Sequence, residues 1–101
     1  MSEQPRPAEI KIEIDEETAR GVYSNLAFIS HSETEFVLDF TFLQPHSAKT
    51  KVQTRIITSP AHAKRFVAAL QENIVKYEAR FGPVAAEAPP NALNQPSDYY
   101  Q

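Results

Sequence analysis

The chain has no cysteine and no tryptophan, and only two of its 101 residues are glycine. Without cysteine there can be no disulfide, thiolate metal site or thiol nucleophile, so a small core has no staple. Two glycines are too few for a dinucleotide or phosphate loop. No run of about 18 apolar residues occurs, so no segment reads as a bilayer span. The opening Met-Ser-Glu-Gln-Pro-Arg-Pro has no apolar stretch after a basic start. No secretory signal is therefore expected, and the cytoplasm is the expected compartment. The length suits one small domain.

What is present is a lopsided charge pattern beneath a net charge of −3. Residues 1–39 hold Arg6, Lys11 and Arg20 against nine acids, whereas residues 40–82 hold seven bases against Glu72 and Glu78. Such a chain can pair its acidic and basic parts within one fold or between subunits. The acidic overall balance lacks the basic bias of a nucleic-acid domain.

Three segments follow from composition. Residues 1–8 are polar with two prolines, and residues 83–101 mix four prolines with Ala, Asn, Gln and Ser; both are expected to be disordered tails. The expected domain is residues 9–82. Within it Ile10, Ile12 and Ile14 alternate with polar residues at a period of two. Asp15 to Arg20 reads as a polar connection. Further strand patterns run over residues 21–30, 35–43 and 51–57, joined by a tight turn at 31–34 and a loop at 44–50. The expected fold is α+β: a four-stranded antiparallel meander followed by one C-terminal helix packed on one sheet face.

Parity sharpens that expectation. A three-residue turn at Ser32–Thr34 pairs Phe28 with Leu38, and a loop centred on Ser47 pairs Phe40 with Thr54 and Asp39 with Arg55. Every even-numbered strand position then shares one apolar face, because a slip of one residue turns a strand over. The odd face holds Tyr23, Asn25, Ile29, Val37, Asp39, Arg55 and Ile57, a half-apolar set that is the expected subunit or partner interface.

The helix has clear ends. Ser59 is a favoured N-cap, Pro60 sits at the first helical position, and Gly82-Pro83 is a stop. Between them Ala63, Val67, Leu70, Ile74, Tyr77 and Phe81 are spaced 4, 3, 4, 3, 4. A period of 3.5 suits a helix on a sheet and equally a helix paired with its twin.

Ser59-Pro60-Ala61-His62-Ala63-Lys64 and Glu72-Asn73-Ile74-Val75-Lys76-Tyr77-Glu78 carry a resemblance, with Tyr23-Ser24-Asn25-Leu26 and Phe81-Gly82. Together they resemble a family of small prokaryotic proteins known as a domain of unknown function. The resemblance covers about residues 19–83 and implies a compact domain with a Ser-Pro-initiated helix, without implying an activity, a cofactor or a catalytic residue.

Chemistry is sparse. His31, His46 and His62 lie on a turn, a loop and a first helical turn, with no metal-ligand spacing between them. The Asp15-Glu16-Glu17 carboxylates sit on a connector that offers no shaped cleft to shift a pKa. No catalytic, cofactor or metal site is expected, and the chain is not expected to be an enzyme. The leading expectation is a homo-oligomeric interaction or scaffold module, foremost a homodimer, with tails that contact other proteins; the terminal Tyr99-Tyr100 pair is only weak evidence for a docking motif. The second is a dimeric nucleic-acid-binding protein using Arg65, Lys76, Arg80 and the last hairpin. The third, from fold analogy alone, is a holdase-like chaperone.

Overall fold

The computed structural model describes residues 9–85. A short helix α1 (Glu16–Arg20) precedes three strands, β1 (Leu26–His31), β2 (Phe36–Thr41) and β3 (Val52–Thr58), and a long helix α2 (Pro60–Phe81) follows. The strands form one antiparallel sheet in sequential order with β2 at its centre. The class is thus α+β with a C-terminal helix. The disorder expected of residues 1–8 and 86–101, Tyr99-Tyr100 among them, lies outside the described residues.

Among the described residues the sheet has three strands, not four. Residues 10–15 carry no strand assignment, and Ile10, Ile12 and Ile14 stand 54, 88 and 67% exposed. Alternation makes a segment fit for one face of a sheet, but a strand exists only where an edge accepts its backbone bonds. Asp15 to Arg20 is also more than a connector. The Asp15 carboxylate accepts the Thr18 amide at 2.7 Å, and Gly21, at φ 74, takes the left-handed backbone that ends α1. A hydrogen bond from the Thr18 side chain, and after it the amide bond, holds the Asp15 carboxyl below its ordinary pKa of 3.8.

The β2–β3 register is the expected one, with Phe40 opposite Thr54 and Asp39 opposite Arg55. The β1–β2 register is one residue away from expectation: Phe28 faces Asp39 and Leu26 faces Thr41. Ser32 is the reason. Its amide donates to the Glu35 carbonyl at 2.9 Å, while its hydroxyl accepts the Thr34 and Glu35 amides. This closes the hairpin around Glu33 and Thr34 alone and turns β1 over. Leu26 and Phe28 therefore join Val37, Asp39, Thr41, Arg55 and Ile57 on one face, since directly opposed residues share a side. Ala27 and Ile29 join Phe36, Leu38, Phe40 and Ile56 on the other.

Asn25 extends the β1–β2 pairing past the end of the strand. Its side-chain amide donates to the Leu43 carbonyl at 3.0 Å and accepts the Leu43 amide at 2.8 Å. Ser24 adds a hydroxyl bond of 2.8 Å to the Thr41 carbonyl.

Helix α2 begins and ends where the sequence places it. The Ser59 hydroxyl accepts the His62 amide at 3.1 Å, Pro60 opens the helix, and Gly82 at φ 94 donates its amide to the Glu78 carbonyl. Ser59→Ala should lower stability by about 1 kcal/mol, through loss of that cap bond. A urea titration of the full chain followed by circular dichroism would measure it.

The core is small. Among the described residues the buried apolar side chains are Leu26, Phe28 and Leu38, and Asp39 and Thr41 are buried with them. No residue of α2 is buried. The helix overhangs the Leu38 face only through its first turns and does not seal it.

Candidate interaction surfaces

The sheet face bearing Leu38 and the start of α2 enclose two open apolar clefts. One, of about 470 Å³, runs between Ile29, Phe36 and Leu38 and the helix residues Ala63, Phe66 and Val67, with Lys64 at its rim. The other, of about 320 Å³, lies between Leu38, Phe40 and Ile56 and the helix residues His62 and Phe66. Both follow from local sequence. Ser59-Pro60 turns the chain back over the sheet directly after β3, before the apolar stripe has met a partner.

The stripe itself is the most exposed apolar feature of α2. Phe66, Val67, Leu70, Ile74, Tyr77 and Phe81 are 42, 60, 50, 39, 52 and 63% exposed. Tyr77 and Phe81 pack with their rings tilted by 43° and 4.9 Å between ring centres, so the end of the stripe is ordered along the helix. Large apolar side chains present about 150–250 Å² each when fully open, which makes the stripe a patch of about 600 Å². Patches of that size on a single chain mark interaction surfaces.

The seven candidate interface residues do not form one surface. Val37, Asp39, Arg55 and Ile57 share the sheet face opposite Leu38, as the odd-face expectation had them, although Ile57 also lines the smaller cleft. Ile29 is on the opposite face beside Leu38, a consequence of the shifted hairpin. Asn25 is occupied by its reciprocal bonds to Leu43, and Tyr23 meets Phe42 edge-on at 5.8 Å. Asp39 is fully buried, and both of its carboxylate oxygens accept from Arg55, at 2.7 and 2.8 Å. This bidentate pair is a structural anchor of the central strand rather than a solvated surface pair.

The three basic candidates sit on α2 and are partly engaged. Lys76 pairs with Glu72 at 3.4 Å across one helical turn, and the Arg80 guanidinium lies 5.2 Å from the centre of the Phe81 ring. Arg65 stands on the exposed surface of the same helix. The expected cover of aromatics by the helix also changes: Phe36 and Phe40 are on its side of the sheet, but Phe28 is on the other.

Among the described residues no group of three or more His, Asp or Glu is placed to hold a metal ion. His31 stacks on Phe36 with ring centres 5.3 Å apart. No helix among them is long and apolar enough to cross a membrane.

Fold and surfaces together define a small α+β protein whose long C-terminal helix and one sheet face are open and apolar. The chain belongs to the family described as a protein of unknown function, DUF3467, whose sequence model matches residues 1–86. No curated protein and no solved structure matches it.

Proposed function

We propose that the protein is a homodimeric, non-catalytic interaction module held together by the apolar stripe of α2. The observation that carries this is the exposure of the whole stripe, from Phe66 to Phe81, on a helix without a single buried residue. Its 3.5-residue spacing keeps the seam in line over 22 residues, about 33 Å, as a pair of supercoiled helices requires. Two such patches would together remove about 1,200 Å² from water, the lower edge of the size of specific interfaces. A core of three apolar side chains leaves the isolated chain short of stability, and association is a usual remedy in domains this small.

The fourth strand of the meander belongs to the same proposal. Ile10 to Ile14 has the alternation of a strand and no neighbour for it within the described chain, so assembly is what would complete the sheet.

Light scattering during size exclusion of the full chain tests this across a range of concentration. A mass near 23 kDa, twice the 11.4 kDa of one chain, is expected at micromolar concentration. A monomer that persists at millimolar concentration would end the proposal and bring binding of nucleic acid or unfolded clients forward.

A further inference from the structure

From the edge of β3 that meets no strand among the described residues we infer that Ile10–Ile14 of a second copy adds to it as an antiparallel strand, with Glu13 beside Arg55. This rests on the homodimer above and specifies a second contact within it. Three observations converge on that edge.

First, the segment has the right sidedness. Lys11 and Glu13 approach within 3.7 Å of each other, which puts them on one side and leaves the three isoleucines on the other. Second, among the described residues β3 pairs with a strand, β2, on one side only, so its other edge has room for a further strand. Placing Glu13 opposite Arg55 sets Ile12 opposite Ile56, Ile10 opposite Thr58 and Ile14 opposite Thr54, all on the side of the Leu38–Phe66 cleft. The isoleucines would thus extend the apolar floor of that cleft, and Ile56, now 47% exposed, would gain cover.

Third, the charges match at this edge and not at the other. The segment and its two flanking residues carry Glu9, Glu13 and Asp15 against the single Lys11, while β3 is flanked and crossed by Lys49, Lys51 and Arg55. The Arg55 side chain is 54% exposed although it holds Asp39, so a second carboxylate can reach it. The free edge of β1 has no lysine or arginine in it and runs into Glu33 and Glu35. Within one chain the Asp15 cap and α1 leave the isoleucines exposed rather than on their own sheet. A two-fold dimer lets each copy donate its segment to the other.

The absence of cysteine makes the test direct. Full-length Lys11→Cys is mixed with isotope-labelled full-length Ile57→Cys under mild oxidation, and in parallel with labelled Ser30→Cys on β1. Both Lys11 and Ile57 are exposed, so neither substitution threatens the fold. Directly opposed strand residues lie within disulfide reach. The mixed Lys11–Ile57 disulfide should exceed the Lys11–Ser30 product by about tenfold, and the amides of residues 10–14 should be protected from exchange at dimer concentrations. Ile12→Lys should abolish that protection. Equal cross-linking to the two strands, or exchange in residues 10–14 unaltered by dimerisation, would overturn the strand addition. A chain bearing both cysteines that closes internally at high dilution would overturn it too, by assigning the strand to its own sheet. Light scattering of the same samples separates the two levels. A dimer without the selective cross-link removes only the strand addition, and a monomer removes the homodimer with it.

Discussion

Leu70→Glu is expected to turn the dimer into a monomer without unfolding it. Leu70 lies near the middle of the stripe and is 50% exposed in the single chain, and glutamate forms helix as readily as leucine does. The monomer therefore has little to lose, and the helical signal in circular dichroism should be unchanged. In a symmetric interface the change counts twice. Each copy forfeits about 0.8–1.5 kcal/mol, the half of leucine burial still open in the single chain, and brings a carboxylate into the seam. A total of roughly 4 kcal/mol or more weakens dimerisation about a thousandfold. Lys76→Ala is the control on the polar side of the same helix, where only the exposed Glu72 pair is lost, and it should leave the mass unaltered. If Leu70→Glu stays dimeric by light scattering at micromolar concentration, the helix seam is not the interface.

The sequence and the structure agree where a local chemical signal marks a boundary, and part where a partner decides. Ser59, Pro60 and Gly82 act on their own few bonds, so both ends of α2 are legible. Helix α1 was equally marked, by Asp15 at the cap, Glu16 and Glu17 in the first turn and Gly21 at the end, but the polar run masked it. The β2–β3 register is legible because Asp39 and Arg55 demand each other. The β1–β2 register is not, because Leu26, Ala27, Phe28 and Ile29 are all apolar and either face can be buried. There the Ser32 hydroxyl, bonded to the Thr34 and Glu35 amides, chooses the shorter loop. Parity of hydrophobic positions carries no information about such a bond. The same limit applies to Ile10–Ile14, whose alternation is a statement about one face and not about an edge. It applies again to the candidate surfaces. The α2 stripe is visible as a period, but its exposure depends on how little of the sheet the helix covers.

Loss of Arg55 should destabilise the protein more than loss of charge on Asp39, although the two share one pair of bonds. Asp39 is wholly buried at the centre of β2, whereas the Arg55 side chain is half open to water. Arg55→Leu leaves a carboxylate in the sheet without the guanidinium that solvates it, and breaking a buried pair in this way costs about 3–5 kcal/mol. Because water reaches the arginine, the cost falls just below that range, at about 2–3 kcal/mol. A core of this size supplies only about 3–5 kcal/mol in all, so the variant should be largely unfolded at modest urea concentration. Asp39→Asn keeps the shape and one good acceptor and leaves a guanidinium that water can satisfy, so about 1–2 kcal/mol is expected. The double substitution Asp39→Leu with Arg55→Leu should recover most of the loss, since an apolar pair of similar volume replaces a buried ion pair at little cost. Urea titrations of all three variants and the wild type, at one fixed protein concentration because dimerisation contributes to apparent stability, give the comparison. An Asp39→Asn cost larger than that of Arg55→Leu would mean that the carboxylate is held chiefly by groups other than Arg55. The ordering expected here follows from burial alone: the partner that water cannot reach is the one that cannot be left behind.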